Sequence, residues 1–318
     1  MKNRRCLYLL IGTALLASAC TKSWTDLEER FISFAPVASK PTKAIIAGNT
    51  YPNSESFVVS AYHEGTAAYF EDLVASFTPS ANLWTTASSQ YWPLSGSLTF
   101  HAYSPAGANG VSIDATDGMT ASGYTIHTPS QMTTDLCHAS ATVADCAAHP
   151  EYVGLTFSHA LSQIVFRVKP ADYYENTTLS LTSLSMDGIL SVGDFTGGQW
   201  ENQHTPYNYA LASAPVALAY DGTTPVTTDV CAYLFLPQTL VPEAAIQVGY
   251  SITQTVSGTD YTLENPPVNI SLGGSITQWE PGKKYIYTLN IGMNNVITIS
   301  ASAVGWSDQG YNIIVEES

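Results

Sequence analysis

The sequence predicts an all-β protein, two β-sandwich domains in tandem behind an export signal, and three observations carry that prediction. Short apolar or alternating runs recur roughly every 8–12 residues between Gly, Pro, Asn and Asp punctuation. No segment sustains the 3.6-residue apolar period of a helix. Charged residues make up only 12% of the 318, while Tyr, Thr, Ser, Ala and Gly are abundant, which suits sheets with hydroxyl-rich outer faces.

Residues 1–19 read as a lipoprotein signal peptide. Lys2, Arg4 and Arg5 form a positive start, Leu7 to Leu16 a short apolar run, and Leu16-Ala17-Ser18-Ala19-Cys20 a lipobox. The run is shorter than the roughly 20 apolar residues a bilayer span needs. Cys20 is the expected lipidation site, and its acyl chains would anchor the protein in the outer membrane. Residues 20–43 then read as a polar tether followed by an N-terminal strand, Phe31 to Val37, with Pro36 confining that strand to a sheet edge.

Residues 44–153 are expected to form the first sandwich and 154–318 the second, with the boundary near His149-Pro150-Glu151. The first has strands at 56–62 and 98–103. One long strand is expected over 155–168. Residues 179–186, a turn at Asp187-Gly188 and residues 191–195 read as a hairpin pair. Strands at 230–236, 246–253, 284–291, 296–303 and 312–315 follow. A turn of helix is placed near 135–146 or 242–245.

The charge is lopsided. Without Lys2, Arg4 and Arg5, 8 of the 11 cations remain against 26 acids, a net charge of −18. This excludes nucleic acid as a partner. Arg167, Lys169, Lys283 and Lys284 are the only cations after Lys43, so the body of the chain offers few sites to an Arg/Lys-specific protease.

Candidate chemistry is sparse. Cys137 and Cys146 could close a nine-residue loop as a disulfide in an oxidising compartment, and Cys231 reads as buried. Cys137, His138, Cys146 and His149 have irregular spacing for zinc, and no metal or other cofactor is expected. Asp114 to Gly118 reads as a surface turn rather than a calcium loop. No nucleophile elbow or paired carboxylates suggest catalysis, so the protein is not expected to be an enzyme. His159 reads as structural. The six Trp and nineteen Tyr read mainly as core packing. The alternative is a sugar-stacking face on a surface glycan-binding lipoprotein.

Several motifs coincide in order. Tyr91-Trp92-Pro93 precedes Leu98-Thr99-Phe100-His101-Ala102-Tyr103-Ser104-Pro105. Asp135-Leu136 precedes Leu155-x-Phe157-x-His159-Ala160-Leu161. Tyr233 to Gln238 ends in Leu-Pro-Gln, and Gly282-Lys283-Lys284-Tyr285 leads to Trp306. Together these resemble the fimbrillin-like lipoproteins, the subunits of type V pili. The resemblance implies two transthyretin-like sandwiches and a subunit on the outer membrane surface or in the fimbrium, with other pilus subunits as partners and an adhesive role toward host or bacterial receptors.

It also implies assembly by strand exchange, in which a protease removes an N-terminal strand and a neighbour's strand replaces it. Phe31, Ile32 and Phe34 would belong to the removable strand. Lys43-Ala44 is the favoured scissile bond, because Lys40 precedes proline, with Arg30-Phe31 as the alternative. Related subunits usually carry arginine here, whereas this chain has lysine. Ile297, Ile299, Ala301 and Ala303 alternate on one face and are the candidate donor strand, which could equally stay in its own sheet.

Overall fold

The computed structural model describes residues 30–38, 51–274, 276–293 and 296–306. Its first strands are β1 (Phe34–Ala38), β2 (Phe57–His63), β3 (Ala67–Thr78), β4 (Leu83–Thr86) and β5 (Leu98–Ser104). Then come β6 (Val111–Asp114), β7 (Gly118–Thr125), the short helix α1 (Pro129–Thr133), β8 (Cys137–Val143) and β9 (Val153–His159). Seven of these close a barrel in the order β1-β4-β3-β2-β5-β8-β9. Alternation drives it. Along β9, Val153, Leu155, Phe157 and His159 point inward while Gly154 and Thr156 face solvent. The barrel is filled by Phe34, Tyr51, Phe57, Phe100 and Phe157.

The rest of the chain gives β10 (Ser162–Pro170), β11 (Thr177–Thr196), β12 (Gln199–Ala212), β13 (Val216–Ala217), β14 (Tyr220–Asp221) and β15 (Thr224–Pro225). It continues with β16 (Thr228–Phe235), β17 (Ala245–Val256), β18 (Thr259–Ser271), β19 (Lys283–Ile291) and β20 (Ile297–Gly305). One sheet runs β16-β10-β19-β20. The other runs β18-β17-β11-β7-β6, with β12 and β13 also on β11. A second core, including Phe166, Leu181, Ile246, Trp279 and Tyr287, lies between them. No described helix is long and apolar enough to cross a membrane.

Several elements differ from the sequence reading. The long strand expected over 155–168 is two strands, and the change of sheet falls at Ala160-Leu161 rather than at 153/154. β6 and β7 leave the barrel, β7 pairing with β11 and β6 with β7, and carry Met119, Ala121 and Tyr124 into the second core. Asp187-Gly188 is no turn: β11 runs through it, with the register to β12 shifting between Met186 and Ile189. Gly188 has φ +72°, and a Cβ there would lie 2.7 Å from the Glu243 carbonyl oxygen. Finally, the helical turn expected within 135–146 is strand β8. Helix forms on either side of it, at α1, where Thr128 and Gln131 make a reciprocal capping box, and as a single 3-10 turn at Cys146–Ala148.

Candidate functional site

β1 is the seam of the barrel. It pairs in parallel with β9 over five residues, from Phe34–Val153 to Ala38–Phe157. Toward β4 it has a single pair, Phe34–Trp84. The Ser33 carbonyl accepts from Val153 N–H at 2.8 Å. By strand alternation, Pro36 therefore turns its missing donor away from β9 toward the sparsely paired side. Pro36 thus lies within β1, as expected of a proline in an edge strand.

The predicted strand residues are held to different depths. Phe34 is fully buried, edge-on to Phe57 at 5.7 Å and Phe100 at 5.9 Å. Ile32 is buried too, its N–H bonded to the Gln90 carbonyl. Phe31 packs on Tyr91 with ring centroids 4.5 Å apart. The Arg30 guanidinium donates to the carbonyls of Trp92 and Pro93, and the Arg30 carbonyl accepts from Trp92 N–H. No local pattern signals this clamp, which depends on residues 62 and 63 positions further along the chain. Cys20, Lys43 and Ala44 lie outside the described residues, as does the strand expected at 312–315.

The candidate donor strand is β20, at the edge of its sheet among the described residues and paired along its length with β19. Ile297, Ile299 and Ala301 are half-buried against the second core, whereas Ala303 is exposed. At its end Trp306 is buried and stacks on His159, with ring centroids 4.1 Å apart.

His159 is the last residue of β9 and stands opposite Cys137, the first of β8. Its Nδ1 lies 2.8 Å from Asp135 Oδ2 and 3.4 Å from Cys137 Sγ. Burial, with the Asp135 charge beside it, pushes the Cys137 thiol well above its usual range. Sequence reasoning put Asp135 and His159 in one motif but did not bring them together with Cys137. The link is a strand register across 22 residues.

The expected disulfide does not form. Cys137 and Cys146 are both free. Cys137 pairs with Ser104 at one end of β5, while Cys146 N–H bonds the Gly96 carbonyl beyond its other end. The extended strand between them spans about 20 Å, against the under 7 Å a disulfide allows. For the same reason Cys137, His138, Cys146 and His149 do not converge.

The remaining features resolve simply. Asp114 Oδ1 accepts from Thr116 and Asp117 N–H, a turn rather than a calcium loop, and these bonds hold its carboxyl below the usual range. Trp84, Trp92, Trp279 and Trp306 are buried and Trp200 is half-buried, so the described tryptophans form no open sugar-stacking face. Arg167, Lys169, Lys283 and Lys284 all lie in the paired strands β10 and β19.

The model of the family described as fimbrillin-like matches residues 42–306. No curated protein matches the chain. The fold is similar to that of a candidate cell adhesion protein from Bacteroides uniformis. The TM-score is 0.51 and identity 15%, covering 87% of this chain and 98% of that one. A candidate cell adhesion protein from Bacteroides ovatus aligns at TM-score 0.49 and 15% identity, covering 91% and 99%. The fimbrial anchor protein Mfa2 from Porphyromonas gingivalis aligns at 0.36 and 12%, covering 87% and 98%. With the family model spanning most of its length, the chain belongs to the fimbrillin-like family, whose members are structural and adhesive proteins rather than enzymes.

Proposed function

We propose that the protein is a structural or adhesive subunit of a fimbrium, exported as a lipoprotein on Cys20 and assembled by exchanging β1 for a strand of another subunit. The observation that carries this reading is the position of β1. Among the described residues it is the strand that closes the barrel from the N-terminal side, with a full ladder on β9 and one pair on β4.

Loss of β1 would leave the β9 edge with unpaired backbone groups and an apolar slot where Phe34 sits. An extended strand from a neighbour satisfies both, the ladder by its backbone and the slot by an alternating apolar face. The edge strand β20, with Ile297, Ile299 and Ala301 on one face, supplies such a pattern. Cleavage at Lys43-Ala44 frees everything through β1. Cleavage at Arg30-Phe31 would keep β1 in place, and Arg30 is clamped by Trp92 and Pro93, which disfavours its entry into a protease site.

Limited digestion of the full-length protein with a Lys/Arg-specific protease, with N-terminal sequencing and native sizing, tests the reading. A product starting at Ala44 that forms oligomers is expected. A product that starts at Ala44 and remains monomeric, or a chain cut only after Arg30, would overturn it.

A further inference from the structure

We propose that Asp135, Cys137 and His159 form a buried site for one divalent transition-metal ion of zinc type, seated where the end of the barrel meets the C-terminal edge strand. The three side chains come from separate places: the link between α1 and β8, the start of β8, and the end of β9. One ligand atom from each lies within 4.8 Å of the others, and all three residues are buried. The side chains of Asp135 and His159 are only 1% and 3% exposed.

The polar accounting inside the cluster favours a cation. Both Asp135 Oδ2, at 2.8 Å, and Cys137 Sγ, at 3.4 Å, converge on the same ring nitrogen, Nδ1 of His159. One N–H cannot serve two partners well. Both carboxylate oxygens of Asp135, Oδ1 and Oδ2, are buried with no hydrogen-bond partner. Leaving a buried carboxylate oxygen unpaired is costly. A cation among the three binds Nδ1, the carboxylate and the thiolate at once.

Separations of about 3.2–3.6 Å between ligand atoms are what zinc bonds of roughly 2.0–2.3 Å require at tetrahedral angles. The cluster is already near that, so small side-chain shifts suffice. The charges also balance: a divalent ion, a carboxylate and a thiolate sum to zero around a neutral imidazole. A neutral set is the one that tolerates burial. Mixed nitrogen, sulfur and oxygen donors suit zinc rather than calcium or magnesium.

On binding, the Cys137 thiol proton leaves to solvent as the Sγ–metal bond forms. Nδ1 gives up its proton and the neutral ring carries one on Nε2. No oxidation or reduction occurs. Trp306 stacks on the ring of His159, so an ion that fixes that ring also fixes the end of β20.

The test uses the untagged full-length protein, stripped of metal and kept reduced with a non-chelating phosphine. Zinc titration against a chromophoric chelator gives stoichiometry, and cobalt(II) gives a spectrum with a thiolate-to-cobalt charge-transfer band. The expected result is one equivalent bound with a sulfur band, lost in Cys137→Ser and kept in Cys146→Ser and Cys231→Ser. Absence of stoichiometric zinc binding or of the sulfur band in the unmodified protein would overturn the proposal, however the variants fold. So would a band that survives in folded Cys137→Ser. Asp135→Asn is expected to lower zinc affinity at least tenfold while leaving the sulfur band intact at saturating cobalt, and unchanged affinity would remove Asp135 from the site and overturn the three-ligand assignment.

Discussion

Phe34 meets Phe100 edge to face, with ring centroids 5.9 Å apart and planes at 81°. The contact makes an N-terminal strand part of the deepest core of the barrel. Such a strand is no loose appendage, and its removal opens a cavity lined by aromatic rings. Phe34→Ala is therefore expected to destabilise the barrel by about 3–5 kcal/mol, as large-to-small aromatic truncations in cores do. Chemical denaturation of the pair of proteins checks this. A change below about 1 kcal/mol would show that β1 contributes little to the core.

Gly188 sits in β11 with φ +72°, and the Glu243 carbonyl is close behind it. A side chain there faces both a strained backbone and a clash. Gly188→Ala is expected to cost about 1–3 kcal/mol, read as a lower denaturation midpoint with an unchanged slope. A neutral effect would argue for an open turn at Asp187-Gly188, the arrangement the sequence suggests.

The thiols give a covalent check on topology. Unfolding without reductant in the presence of an alkylating agent should label Cys137, Cys146 and Cys231 alike, since all three are free. A protein two hydrogens lighter, with Cys137 and Cys146 unlabelled, would contradict the separation that β8 imposes.

Asp194 ties β7 to β11. Its carboxylate accepts from Gly123 N–H at 2.8 Å and from Asn202 at 3.0 Å, and these bonds hold its pKa below the usual range. A depressed folded value means stability that is present above the unfolded value of about 4. It is lost as pH falls through the lower folded value. Asp194→Asn should therefore flatten the acid limb of the stability profile and leave its slope near neutrality alone. An unchanged acid limb would remove Asp194 from this role.

Much of the fold was legible because apolar alternation is strong where one face is buried. β2, β5, β16, β17, β19 and β20 all lie where alternation and turn residues put them. β3 and β12 were not legible. Their outer faces are exposed over most of their length, so their sequences, Ala67–Thr78 and Gln199–Ala212, read as polar or mixed. The split at Ala160-Leu161 was hidden because both flanking strands are apolar and no Gly or Pro marks the change of sheet. For the N-terminal segment, a strand was readable from its place before the fold, but its start was not: β1 begins at Phe34, and Phe31 and Ile32 lie ahead of it. The Arg30 clamp and the Asp135–Cys137–His159 cluster were not readable either, since each depends on a register between distant segments.

The central claim is that β1 leaves before a neighbour's strand can enter. Val37 on β1 and Thr156 on β9 are register partners, both exposed on the outer face. Strand neighbours lie about 4.8 Å apart, within disulfide reach. Val37→Cys with Thr156→Cys should lock β1 in place once oxidised. After digestion at Lys43, native sizing of the locked protein should show monomers only, with oligomers appearing when the bond is reduced. Oligomers that form with the lock closed, or none after it is opened, would contradict strand exchange at β1.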